Sequence, residues 1–172
     1  MLEVIKNNKT MWTELQIEIE TVRKQLQIPD EEFVPLPYTT NWAKLEEKIY
    51  QAFCQLYHPT ARPIWLWQRF NLETYSIGIQ YGAYTFFDKL IEENEKVWLM
   101  LNESVNMGDK FWFYEGKIKA IQDIINESCF IDEFYLISKK YEWMLCVNHH
   151  DTLIATGEVM VKRLKELEKS IK

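Results

Sequence analysis

The chain is short of the residues that most recognisable active-site motifs require. Its 172 residues include only 5 glycines, 3 cysteines and 3 histidines. A phosphate-cradling loop needs several clustered glycines, and no P-loop, GxGxxG or GxSxG pattern occurs. Cys54, Cys129 and Cys146 lie far apart with no CxxC pair, which reads as reduced thiols rather than a disulfide framework. Basic residues are in deficit, with 20 Lys and Arg against 26 Asp and Glu and a net charge of -6. A nucleic-acid binder needs the opposite balance to neutralise phosphates, so no nucleic-acid partner is expected. The one dense basic cluster, Lys162, Arg163 and Lys165, is matched by Glu166 and Glu168 on the same helix. Long apolar runs are missing too. Val97–Leu101 and Ile64–Trp67 are among the longest, far short of the roughly 20 residues that span a bilayer. Residues 1–9 show no apolar leader core or small-residue cleavage site. The expectation is a cytoplasmic protein with no membrane partner, no cofactor and no metal.

What is present suits one globular domain over residues 1–172. Apolar residues make 47% and charged residues 27%, enough to bury a core and too apolar for a disordered chain. Aromatics reach 15%, with 7 Trp, 9 Tyr and 9 Phe. Most serve a bulky core. Any left outside would mark an interaction surface, since Trp and Tyr dominate binding hot spots.

Helical periodicity opens the chain. Trp12, Leu15, Ile19, Val22 and Leu26 share a stripe, Thr10 offers a cap, and Ile28-Pro29 ends the helix. A loop through Pro35 and Pro37 leads to a second helix, capped by Thr40 or Asn41. Its inward face carries Trp42, Leu45, Ile49, Phe53 and Leu56, and it ends near His58-Pro59. The two helices are placed to pack as an antiparallel pair. Strands are expected at Ile64–Trp67, at Tyr75 to Tyr81, at Lys96–Asn102 and at Lys110–Tyr114. Helices are expected over 83–94 and over Glu115–Glu127, the latter with Ile118, Ile121 and Ile125 inward. Glu133–Ser138 and Trp143–Asn148 read as a hairpin. A last helix follows Gly157, with Met160, Leu164, Leu167 and Ile171 buried. The class is α+β: two N-terminal helices, a largely antiparallel sheet with helices packed on one face, and a C-terminal helix.

One constellation stands out as chemistry. Asn148-His149-His150-Asp151 puts two of the three histidines beside a carboxylate at the end of a strand. Imidazole and carboxylate are the usual material of a metal site or an acid–base pair. The spacing argues against it, because neighbours on a strand point to opposite faces. Cys146 shares a face with His150 on a regular strand and could supply a third ligand. The plainer reading is a turn ordered by Asn and Asp side chains. Arg69 is the second candidate, as an anion anchor or, more plainly, as one half of an ion pair, for instance with Asp151. Trp143 joins these as a candidate binding residue. Glutamate pairs such as Glu46-Glu47 and Glu92-Glu93 read as solvated faces.

The stretch from Glu133 to Gly157 contains the pattern YxxSKKYxWxLCxNHHDxLIxxG. It resembles the ending of a group of small uncharacterised bacterial proteins, with a looser echo in Ile64–Phe70. Some members of that group are encoded beside secreted polymorphic toxins, so the resemblance implies an immunity protein that binds and blocks a toxin domain. Val147 stands where an acidic residue is expected in such relatives, which counts against a metal site built on that acid.

Two functional readings follow. The first is a non-enzymatic binding protein, with a toxin domain as partner and with Arg69, Trp143, Asn148, His149, His150 and Asp151 as its binding residues. Acidic patches at Asp30-Glu31-Glu32, Glu92-Glu93-Glu95 and Asp132-Glu133 would steer it onto a basic partner. The alternative is a metal-dependent hydrolase using His149, His150 and Asp151.

Overall fold

The computed structural model describes residues 13–79, 82–103, 111–129, 131 and 133–171. Thr10, Trp12, Tyr81, Lys110 and Asp132 lie outside the described residues. The first helix, α1 (Glu14–Gln25), is capped by Thr13 rather than Thr10. Thr13 Oγ1 accepts from the Gln16 amide, and Gln16 Oε1 accepts in return from the Thr13 amide. This reciprocal box satisfies two amides that a helix start otherwise leaves open. Leu15, Ile19 and Val22 are buried as their spacing predicts, whereas Leu26 is exposed.

The segment between the first two helices is not a plain loop. Phe33–Pro35 forms strand β1, which pairs antiparallel with β4 (Phe111–Lys117). It occupies one edge of the sheet, so the chain crosses there from one face to the other. Helix α2 (Trp42–Phe53), capped by Asn41 Oδ1 on the Lys44 amide, therefore packs on the opposite face from α1. The two do not form the expected antiparallel pair. Leu45, Ile49 and Phe53 of α2 are buried while Trp42 stays exposed. Burying those three side chains stabilises the fold by roughly 2 kcal/mol each.

Seven strands make one sheet in the order β1-β4-β3-β5-β6-β7-β2. The others are β2 (Thr74–Gly78), β3 (Lys96–Asn102), β5 (Phe134–Ser138), β6 (Met144–Val147) and β7 (Thr152–Thr156). Every neighbouring pair is antiparallel. The α+β class and the antiparallel sheet are as expected, with helices distributed over both faces. On one face lie α1, the short α3 (Phe87–Leu90), α4 (Ile118–Glu127) and the C-terminal α5 (Glu158–Ile171). On the other, α2 and Leu66 cover Met100, Phe113, Tyr135, Ile137, Met144, Cys146 and Ile154. Strict alternation divides the strands between the two cores: Leu136 and Leu145 go one way, Tyr135, Ile137 and Cys146 the other.

Three further expectations are corrected. Ile64–Trp67 is not a strand; Leu66–Arg69 forms a 3-10 turn. No neighbouring strand takes its backbone, and the Leu66 amide donates instead to the Tyr135 hydroxyl at 3.1 Å. The helix expected over 83–94 is a 3-10 turn (Ala83–Phe86) followed by the single turn of α3, after which Ile91 is extended. Finally, residues 115–117 belong to strand β4, so the helix expected from Glu115 starts at Ile118; Thr152–Thr156 is a further strand, β7, to which no element was assigned from the sequence. The junction from β7 to α5 turns on Gly157 at φ +91°, where any Cβ would collide with the Glu142 carbonyl oxygen. No helix among the described residues is long and apolar enough to cross a membrane.

Candidate functional site

The Asn-His-His-Asp segment is the tip of the β6–β7 hairpin. Asn148 is buried, and its Oδ1 accepts from the amides of His150 (3.0 Å) and Thr152 (3.1 Å). The Asp151 amide donates to the Asn148 carbonyl at 3.0 Å, and Asp151 sits in the left-handed region at φ +54°. An Asp tolerates that conformation better than most residues. The backbone therefore turns where the strand reading kept the histidines apart. Their ring centroids lie 4.1 Å from each other.

Beneath the tip is a carboxylate that no local pattern singles out as interior. Glu133 is 3% exposed, so it is not part of an acidic surface patch. Its Oε2 lies 3.0 Å from His149 Nδ1 and accepts from Trp67 Nε1 at 3.2 Å. Its Oε1 accepts from the Tyr135 hydroxyl at 2.6 Å. An ionised carboxylate only accepts, so in this contact His149 Nδ1 is the donor. Asn102 braces the arrangement, its Nδ2 donating to the Ile64 carbonyl at 3.2 Å. Burial, with the Glu133 carboxylate adding to it, holds the Tyr135 hydroxyl well above the ordinary tyrosine range, so it stays protonated as a donor. Trp65 and Trp67 flank His149 at 5.6 and 6.2 Å between ring centroids, and Trp67 also meets His150 edge-on at 6.2 Å.

The other candidates go elsewhere. Trp143 is 3% exposed and belongs to the core on the opposite face of the sheet. Cys146 is fully buried, and desolvation raises its thiol well above the ordinary range. Among the described residues no group of three or more His, Cys, Asp or Glu side chains is arranged to hold a metal ion. Arg69 forms no ion pair with Asp151. Its guanidinium sits 4.4 Å from the Tyr57 ring centroid instead.

A second buried carboxylate organises the neighbouring surface. Glu46 is 2% exposed, not part of a solvated face. It accepts from the Tyr50 hydroxyl at 2.7 Å and binds Arg62 through Nε at 2.8 Å and Nη2 at 3.0 Å. That fork ties α2 to the loop ahead of the 3-10 turn, and Arg62 lies 5.8 Å over the Trp42 ring. Trp42 beside Arg62, Tyr57 beside Arg69 and Trp65 beside His149 make up an aromatic rim. These rings are 54%, 83% and 45% exposed, which is unusual for bulky aromatics. Glu46 and Glu133 escaped the sequence reading because each is interior only through partners distant in sequence, Arg62 for one and Trp67 and His149 for the other.

Residues 11–168 match a family of unknown function, DUF6756. The chain belongs to this family. No curated protein and no solved structure matches it. Family membership fits the likeness to uncharacterised proteins and assigns no activity to the hairpin tip.

Proposed function

We propose that this DUF6756 protein is a non-enzymatic binding protein of the cytoplasm that recognises another protein through the surface around Trp42, Tyr57, Trp65 and the His149-His150 tip. The observation that carries the reading is the exposed aromatic rim set beside Arg62 and Arg69. Trp, Tyr and Arg are the residues from which binding hot spots are built. The rim is also well anchored. The Glu46–Arg62 fork and the Glu133 network hold it from below, so little ordering would be needed on association. The likeness of the Glu133–Gly157 stretch to proteins encoded beside polymorphic toxins makes a toxin domain the partner proposed, and immunity the role.

The test is reconstitution with the product of the gene adjacent to its own, by size exclusion and calorimetry. A stoichiometric complex weakened at least about tenfold by Trp42→Ala and Trp65→Ala is the expected result. A protein that forms no such complex, yet carries a stoichiometric metal lost in His149→Ala, would overturn it.

A hydrolase is the second reading, and one observation favours it. His149 is oriented by a buried carboxylate, as a general base commonly is, with His150 alongside. It lacks a nucleophile or metal ligand set converging on the pair among the described residues.

A further inference from the structure

Beside the aromatic rim, Gln55, Tyr57, Arg62, Pro63 and Arg69 line an open depression of about 200 Å³. Its walls are fixed by the backbone. The Gln55 amide donates to the Arg69 carbonyl at 2.7 Å, and the Asn71 amide to the Phe53 carbonyl at 3.0 Å. A β-bridge between Cys54 and Phe70 joins the two segments. Arg69 is thereby held at the C-terminal end of the 3-10 turn, half-buried, with its guanidinium over Tyr57.

The charges do not cancel. Glu46 takes Nε and Nη2 of Arg62, and no hydrogen bond within the described residues uses Arg62 Nη1. Among the described residues Arg69 makes no ion pair with any carboxylate. Arg69 is thus one uncompensated cation next to a second guanidinium with a donor to spare. A half-buried guanidinium without a carboxylate is costly, and a ring face offsets only part of that cost.

We infer that this depression is a carboxylate-binding site that receives an acidic side chain of the protein partner. The inference rests on the partner-binding reading for the occupant, not for the site. Three features select the ligand. A planar guanidinium fork matches a carboxylate in two parallel hydrogen bonds. One net positive charge pairs with one negative charge, and a more highly charged anion such as phosphate would face the field of a chain with net charge -6. The aromatic rim supplies the apolar surround that excludes water from such a pair.

The test uses the intact chain and a small probe, N-acetyl-aspartate amide, followed through arginine Nε–Hε and tryptophan indole NMR resonances. Saturable shifts of Arg69 and Trp42 are expected at millimolar probe, weakened about tenfold in Arg69→Gln and retained in part in Arg69→Lys. Sodium chloride at matched ionic strength should give no saturation. Shifts that merely track ionic strength, tighter binding of inorganic phosphate than of the probe, or unchanged affinity in Arg69→Gln would each overturn the site. None of those outcomes bears on whether a partner binds the rim. In the reconstituted complex Arg69→Gln should also weaken binding about tenfold. A complex indifferent to that change, with the probe still bound, would overturn the assignment of the occupant.

Discussion

His149 Nδ1 lies 3.0 Å from Oε2 of Glu133, a carboxylate 3% exposed and 16 residues away in sequence. The pair ties the tip of the β6–β7 hairpin to the start of β5. His149 is partly exposed, with a side-chain exposure of 36%, so solvent screens its share of the attraction. His149→Ala should therefore cost only about 1 kcal/mol. Glu133→Ala should cost about 3 kcal/mol, because it strands the Tyr135 hydroxyl and the Trp67 indole as well. Urea unfolding of both single variants and the double variant measures this. A coupling energy indistinguishable from zero would show that the 3.0 Å contact contributes nothing.

Asn148 serves the turn and not a ligand, since its Oδ1 is already used by two backbone amides. Asn148→Ala should destabilise by about 1–2 kcal/mol, and Asn148→Asp, which keeps the acceptor, by less than half as much. Thermal unfolding midpoints check the order. Equal losses for the two variants would mean that the acceptor is not what matters.

Gly157 is irreplaceable for a steric reason. With φ at +91° and the Glu142 carbonyl oxygen where a Cβ would go, Gly157→Ala must move either the β5–β6 hairpin or the start of α5. A loss of more than about 2 kcal/mol is expected in urea unfolding. A near-neutral change would show that the junction rearranges freely.

The three thiols should divide one against two. Cys129 is exposed, whereas Cys54 and Cys146 are buried. Burial pushes the Cys54 thiol up to about 12 and raises Cys146 well above its ordinary value of 9.0. A thiol reagent at pH 8 should label one cysteine per native chain and three per unfolded chain. Rapid labelling of two or more in the native state would contradict the packing of α2 against the sheet.

The same burial sets an alkaline limit. Tyr50 is raised by burial and then by the Glu46 charge, Tyr114 by burial and then by the charges of Glu103 and Glu20, and Cys54 by burial alone. A folded-state pKa above the unfolded one means that the unfolded chain releases its proton first. The stabilisation is intact below the unfolded value and is lost as pH rises through the window above it. Stability should therefore fall from about pH 9, where the cysteines begin to ionise in the unfolded chain, and more steeply above about pH 10 as the tyrosines follow. Chemical denaturation between pH 7 and 11 reads this directly, and a flat profile would refute it.

The elements read best from the sequence were those whose pattern is local. The stripe of Leu15, Ile19 and Val22, the strand Lys96–Asn102 and the inward face of Ile118, Ile121 and Ile125 all appear as their spacing predicts. Asn148, His149, His150 and Asp151 were recognised as a group, and of the plainer reading, a turn ordered by Asn and Asp side chains, the hydrogen bonds found match the Asn148 part. Ile64–Trp67 misled because an apolar run has the same composition whether it enters a sheet or a 3-10 turn. Only the Tyr135 hydroxyl, waiting for the Leu66 amide, distinguishes the two. Thr152–Thr156 was missed because its partner strands, β6 and β2, supply the pairing that its own alternation only weakly signals.

Sequence by itself determined the α+β class, the buried stripes of the helices, and the concentration of polar chemistry at residues 148–151, because periodicity and turn chemistry act over a few residues. Only the tertiary structure decided that α2 crosses to the far face at the β1 edge, that Glu133 and Glu46 are interior, and that Arg69 faces a ring and not an acid. Each of those depends on groups a dozen or more residues apart brought close together, where desolvation and hydrogen-bond geometry act and no local pattern records them.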